Sequence, residues 1–453
     1  MHNAHYNWLS FFKLRRNILN NQLLVLYEQV INHFSYPAPE LLHCNPGIYN
    51  SQNMRLRTFE SFSLLKNGLL YSYPSLQHDI ESDIVVIGGG ITGALISHAL
   101  MENGYKVVLL DKRDIAQGSS AATTGLLQYE IDVPLVDLAN MIGEDAAVLC
   151  YKAGIEAINA LASLVNEHQI ECSFKLKESL YFAHNKKAAV KLRKEFTMRQ
   201  KHQLGVRWIN EVEVENDYGL KSYGGIVSSS GGCVDAYKLA HELIQLNVKR
   251  GMQVYDQTDI KSFKPDNDNP TIEIADGLKV SCNKVIFCTG FETTEMLKEK
   301  IATLFYTYAC VSETGIKVCD NIKNSVLWDT DDPYLYMRCT EDGRLLIGGE
   351  DSSNNQPFFQ QKIKNKKTDK LLKKFQKIAP GVNFIPDINW GGTFGSTKDG
   401  LPYIGESPEY RNALFVLGFG GNGITFSVQA MDIIIKTLQG EVHPLSSYYR
   451  FGR

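Results

Sequence analysis

Three glycines and one acid carry the most specific chemistry in this chain. Gly88-x-Gly90-x-x-Gly93 follows the short apolar run Asp83–Ile87 and opens a helical pattern with Leu95, Ile96, Ala99 and Leu100 on one face. Asn103-Gly104 stops that helix, and Lys106–Leu110 forms a second strand that ends at Asp111. Each piece has a job in holding a dinucleotide. Gly88 permits a tight turn, Gly90 admits the backbone to a pyrophosphate, and Gly93 lets helix and strand pack closely. Phosphates then sit on unpaired N–H groups at the positive helix end. Asp111 lies about 20 residues further on, where a carboxylate accepts hydrogen bonds from ribose hydroxyls. An acid there favours a free 2′-hydroxyl over NADP, and leaves NAD and FAD both open.

Three further stretches could touch such a ligand. Gly118-Ser119-Ser120, with Gly125 shortly after, is a loop able to bring hydroxyls and amides to phosphate, although alone it is also an ordinary serine-rich turn. The strand VIFCTGF delivers Thr289-Gly290 onto a second tight turn. Near the C-terminus the strand Ala413–Leu417 leads into Gly420-Gly421-Asn422-Gly423, which exposes N–H groups at the start of the amphipathic helix Ile424–Leu438. In PYLYMR, period-two alternation puts Tyr334, Tyr336 and Arg338 on one strand face. That face is either a substrate wall with an anion clamp or a plain exposed surface.

The elements that position these groups follow from the same patterns. A helical period runs over Asp137–His168, a basic helix over Lys186–Gln203 reads as a solvated face, and another basic helix covers Lys362–Lys377. Gly231–Asp235 opens a helix over Tyr237–Gly251, and residues 301–350 are rich in strands. Trp8–Phe34 could form a helix but makes a poor targeting segment, and Met54 reads like a natural start, so residues 1–64 are expected to be an extension and 65–82 a lead-in arm. A length of 453 residues calls for two domains. The formal net charge of −3 gives no electrostatic case for nucleic acid. Nine scattered cysteines without C-x-x-C, and histidines without H-x-x-x-H, point to a reducing, cytoplasmic setting and no metal. The most apolar stretch, Ala413–Leu438, carries Asn422, Asp432 and Lys436 and is no transmembrane segment.

Four blocks in this order, GGGITG…LLD, GSSAATTGLLQ, CTGF and DGLPYIG…GFGGNGIT, resemble the D-amino-acid oxidase/glycine oxidase superfamily of FAD-dependent amine oxidoreductases. The arm and its Tyr73–Leu76 lead-in resemble the γ-glutamylputrescine oxidoreductase-like branch most, and the likeness spans about residues 65–445. It implies an α/β fold: a discontinuous Rossmann-like FAD-binding domain (83–170, 231–299 and 388–445) and an α+β substrate domain with a mainly antiparallel sheet (171–230 and 300–387). It implies Gly88, Gly90, Ile91, Thr92 and Gly93 at the pyrophosphate, Thr289 and Gly290 beside it, and Asp111 with Lys112 at the adenosine ribose. Ile260 would meet the adenine, and Ser119, Ser120, Thr124, Gly125 and Leu126 would line the path to the flavin ring. Gly420, Gly421, Asn422, Gly423, Ile424 and Thr425 would cap the ring's pyrimidine end.

Two departures stand out. Relatives place an arginine in the G-x-R-P-x-T-x-D-G run to bind a substrate carboxylate; this chain has Phe394. Relatives with tethered flavin place a cysteine just before that run; this chain has Gly391-Gly392, so non-covalent FAD is expected. The reaction implied is hydride transfer from the carbon of a C–N bond to the flavin, with Tyr129, Tyr334, Tyr336 and Arg338 as candidates on the substrate side. The partners expected are a small-molecule amine and, for reoxidation, oxygen or an electron carrier. A flavin dehydrogenase of a hydroxy acid or polyol, and a partner-dependent electron-transfer subunit, are the rival readings.

Overall fold

The computed structural model describes residues 57–58, 60–265, 270–353, 360–418 and 420–453; the helix expected over Trp8–Phe34 and the start at Met54 lie outside them. The first sheet is built around β1 (Ile80–Ile87). Its residues Ile84–Ile87 are all buried, as a central strand covered on both faces requires. The chain turns through Gly88 into α1 (Ile91–Glu102) and returns as β2 (Val107–Leu110), which pairs parallel with β1. Asn103 ends α1 as expected, and Gly104 takes φ +79° in the turn that follows. On the other side of β1 lies β3 (Lys279–Phe287), also parallel, and it in turn pairs with the late strand Tyr410–Leu417. Helix α1 therefore crosses over a parallel sheet assembled from segments far apart in sequence.

Among the described residues the second sheet has nine strands and is largely antiparallel. Its third strand from one edge is β4 (Thr303–Ser312), flanked by Leu345–Ser352 and by Pro386–Ser396. β5 (Leu335–Cys339) carries Tyr336, with Tyr334 immediately before it, and β6 (Pro386–Ser396) carries Gly391, Gly392 and Phe394. The domain boundary expected at residue 388 thus falls inside a strand of this second sheet. The first sheet resumes only with Tyr403–Ser407 and β7 (Tyr410–Leu417), after which the glycine turn opens α2 (Gly423–Leu438). Residues 57–58 and 60–64, expected within the extension, belong to the fold: Arg57 and Thr58 pair with Gly392 and Gly391, and Phe62–Asn67 is helical. The arm is fastened as well, with the Tyr73 N–H on Asp256 and the Leu76 N–H on Thr258.

Three further expectations change. The helix read over Asp137–His168 is two helices, Leu135–Ile142 and Glu144–Glu167, parted at Gly143 with φ +92°. Gly231–Cys233, expected to open a helix, is a strand, while the helix itself runs over Ala236–Val248, within one residue of its expected start. The basic helix, Lys186–Lys201, is more than a solvated face, because Glu195 and Arg199 on it are buried to 3% and 1% exposure. Glu195 accepts the N–H groups of Leu135 and Val136, completing the first turn of the next helix's partner. Arg199 bridges Glu195 at 2.7 Å and Glu130 at 3.2 Å. Among the described residues Glu144–Glu167 alone is long and apolar enough to cross a membrane, and one face of it packs into the core.

This buried network joins the strand that leaves the cofactor half to a helix of the other half. Burial pushes the Glu130 carboxyl up even though Arg199 pulls it down. Arg199→Met leaves two carboxylates facing each other without their cation. It is expected to lower stability by about 3–5 kcal/mol, read as a fall in the thermal and urea midpoints.

Candidate active site

The glycine turn is built by backbone meeting backbone. The Gly88 N–H donates to the Leu110 carbonyl at 2.8 Å, closing β1 against β2. A Cβ on Gly93 would stand 1.8 Å from the Gly88 carbonyl oxygen, and one on Gly88 would stand 2.5 Å from that of Cys288. No side chain fits at either point. The Ile91 N–H at the start of α1 donates to the Ser120 hydroxyl at 2.8 Å, so the serine loop is held directly against the helix N-terminus. A Cβ on Gly90 would meet that same hydroxyl at 2.9 Å.

Two cavities adjoin at this cradle and share Gly88, Asp111 and Thr289. The smaller one meets Asp111, Lys112, Thr258 and Ile260. Asp111 accepts the N–H of Gly89 at 2.6 Å and that of Arg113 at 2.8 Å; burial pushes its carboxyl up to about 6 against those bonds. Lys112 and Arg113 both pair with Glu292, an anchor that no spacing in the sequence announced. The larger one passes Ser119, Thr124 and Leu126. It reaches a wall made of Thr307 and Tyr308 on β4, Tyr334 and Tyr336 at β5, and Trp390 and Phe394 on β6. Thr289 and Gly290 line the middle, and Gly420, Gly421, Gly423 and Ile424 close the far side.

Not every expected residue reaches the cavity. Tyr129 is 1% exposed, and its hydroxyl lies 3.0 Å from Ser228 Oγ, within the Glu130–Arg199 network. Strand alternation explains this: Leu126 and Gln128 line the cavity, so Leu127 and Tyr129 face the opposite way. Arg338 does share a strand face with Tyr336, but its Nε donates to the Thr124 carbonyl at 2.6 Å and its Nη1 to the Cys339 carbonyl. Its guanidinium borders a different cleft and is no anion clamp here. Gly93 and Gly125 act by close packing; a Cβ on Gly125 would stand 2.0 Å from the Val234 carbonyl oxygen. Asn422 and Thr425 sit behind the loop, where Asn422 Nδ2 donates to the Gln128 and Glu130 carbonyls and Thr425 Oγ1 to the Asn422 carbonyl.

Two groupings were invisible in the sequence. The carboxylate of Asp132 accepts the Gly421 N–H at 2.9 Å, taking one of the amides at the start of the last helix. On the first helix, His98 and Glu102 meet His168 with ligand atoms within 4.8 Å of one another, although no metal-binding spacing joins them in sequence; Glu102 is paired with Arg250 there.

The family model described as FAD dependent oxidoreductase (DAO) matches residues 83–431. The chain is 24% identical over 392 residues to the γ-glutamylputrescine oxidoreductase of Escherichia coli (strain K12), covering 83% of this chain and 88% of that one. It is 23% identical over 356 residues to the glycine oxidase of Geobacillus kaustophilus (strain HTA426), covering 76% and 89%. The crystal structure of glycine oxidase from Geobacillus kaustophilus superposes with a TM-score of 0.69 at 18% identity, over 83% of this chain and all of that chain, which establishes the fold. A backbone cradle that Cβ atoms would fill, at a helix N-terminus with an acid at the next strand's end, fits FAD. Gly93→Ala is expected to yield protein depleted of flavin, measured by visible absorbance of the purified chain, because either the cradle opens or α1 leaves the sheet. With motif order, fold and cradle in agreement, the chain belongs to the DAO family of FAD dependent oxidoreductases.

Proposed function

We propose that this protein oxidises a C–N bond of a primary or secondary amine or amino acid, yielding an imine that water hydrolyses. The observation that carries the reading is one cavity lined both by the glycine cradle and by an aromatic wall from the other sheet. FAD held there supplies the two-electron acceptor. The chain's own residues supply orientation and dryness. Tyr334 and Tyr336, with ring centroids 5.8 Å apart and planes tilted by 48°, and the nearby Tyr308 and Phe394 form an aromatic surface on which a substrate is confined. An amine gives up hydride only when its nitrogen lone pair is free, and an apolar wall favours the uncharged amine.

Gly391 and Gly392 stand where a tether would be, and non-covalent FAD follows from them. We assign 83–170, 231–299 and the segment beyond residue 396 to cofactor binding, and 171–230 with 300–396 to substrate binding. The described cysteines are unpaired, which fits a cytoplasmic protein, and the electron acceptor is oxygen or an electron carrier.

The test is anaerobic. The purified, FAD-loaded chain is expected to bleach with members of a panel of primary and secondary amines and amino acids, and not with lactate or glycerol 3-phosphate. Bleaching by the hydroxy compounds alone would overturn the assignment.

A further inference from the structure

We propose that Asp132 and Tyr334 form the amine-recognition point of this cavity, so that the substrate is an alkylamine bearing no carboxylate on its reacting carbon. The inference rests on the amine-oxidation reading and narrows it.

The geometry is that of a niche cut to fit a carboxylate. Gly420, at φ +73°, would put a Cβ 2.3 Å from Asp132 Oδ2, and a Cβ on Gly421 would stand 2.9 Å from Asp132 Oδ1. That same Gly421 position is 3.6 Å from the Tyr334 hydroxyl, so carboxylate and phenol flank one bare α-carbon on the cavity floor. Oδ2 is engaged by the Gly421 N–H, which fixes the carboxylate and leaves Oδ1 on the Tyr334 side. Asp132 is open to solvent, unlike the paired acids of the core.

The charge around this niche is mainly negative: Lys367, beside Asp351 and 5.7 Å from the Tyr308 ring, is itself paired with Glu350. Among the described residues lining the main cavity, Arg113 is the only cationic side chain, and it is paired with Glu292 at the phosphate end. Arg338 is bound to the Thr124 carbonyl, and Phe394 occupies the wall of β6. The groups facing Asp132 are the Gly421 N–H, Tyr334 and, from the neighbouring strand of the second sheet, Asp351. Protein packed around Asp132 pushes its carboxyl up to about 6, Asp351 adds to this, and the Tyr334 phenol is driven well up by burial and by both carboxylates. A substrate carboxylate would meet two acids and, among the described residues, cations that are already paired with Glu292 or Glu350. An alkylammonium would meet a fixed carboxylate acceptor.

The same contact prepares the amine. In the bound pair the ammonium N–H bond breaks and an O–H bond forms on Asp132, turning a cation–carboxylate pair into a neutral amine and a carboxylic acid. Atoms and charge balance, and the nitrogen lone pair is released for oxidation. A carboxyl with its pKa raised is the better proton acceptor for this step.

The experiment uses a matched pair of probes, n-butylamine and norvaline, which differ only by the carboxylate on the reacting carbon. Both are titrated calorimetrically and anaerobically into the FAD-loaded full chain, and flavin bleaching is followed in parallel. n-Butylamine is expected to bind about tenfold or more tightly than norvaline, and its binding to fall as pH drops through about 6, where Asp132 takes up a proton. Asp132→Asn is expected to weaken n-butylamine binding by about 10- to 100-fold and to flatten that pH dependence, with Asp132→Glu restoring part of both. Tyr334→Phe, which leaves the Gly421 contact in place, is expected to weaken binding by a few fold, and it decides the matter if Asp132→Asn sheds its flavin. Equal binding of norvaline and n-butylamine, or unchanged binding in both variants, would overturn the proposal. Should no amine or amino acid bleach the flavin, amine oxidation itself fails, while the calorimetric preference still reports on the niche.

Discussion

Everything in this structure is arranged around a point where three backbones touch without side chains between them. The Gly88 carbonyl faces the α-carbon of Gly93, and the Cys288 carbonyl faces the α-carbon of Gly88, at separations that no Cβ could enter. Dispersion at such contacts is small per atom pair, but the geometric consequence is large. Because α1 lies hard against the ends of β1 and β3, its N-terminal amides open into the cavity, and the loop of Ser119 and Ser120 is drawn in to meet them. The two strands also arrive there from positions about two hundred residues apart, so the cradle exists only once long-range pairing is complete.

The second sheet needs a different kind of fastening, since its wall must face the cradle without filling it. Part of that fastening is ionic. Glu130, Glu195 and Arg199 are buried to 3% exposure or less, and Glu195 also caps the helix Leu135–Ile142. A buried ion network of this kind contributes little net stability compared with an apolar cluster of equal volume. What it does fix is register. The segment between Gln128 and Pro134 carries a cavity residue, a core tyrosine, a buried glutamate and the open Asp132 in succession, and a slip of one residue would exchange them. Asn422 adds to the pin from the other side by donating to the carbonyls of Gln128 and Glu130.

That segment also marks where the sequence stopped being legible. The cradle could be read directly, because glycine spacing, an apolar strand and a distal acid each have a local cause. The two late glycine turns were readable for the same reason. Tyr129 and Arg338 were misjudged because residue type suggested a role that only strand facing could grant: the first points into the core, and the second reaches a backbone carbonyl. The basic helix Lys186–Lys201 hid its buried pair, since Glu195 and Arg199 look like any solvated i, i+4 couple until the opposing glutamate is brought from residue 130. Asp132 carried no motif at all. Its meaning comes from two glycines almost three hundred residues away that leave room for it.

A single carboxylate can decide a substrate's class only if water does not cancel its field, so the magnitude matters. Two unit charges about 5 Å apart interact by about 3 kcal/mol at an effective dielectric near 20, and by less where solvent intrudes. Asp132 is exposed, so the lower part of that range applies before a substrate enters. Once a substrate's hydrocarbon lies on Tyr334, Tyr336 and Phe394, it displaces the water that screened the carboxylate. The field is then felt most strongly by the molecule that excluded the solvent. Attraction for an ammonium and repulsion for a carboxylate draw on the same charge, so discrimination between them is the sum of the two. Under the amine-recognition proposal, an aromatic wall and one fixed acid favour an ammonium where a cation in the same place would favour a carboxylate.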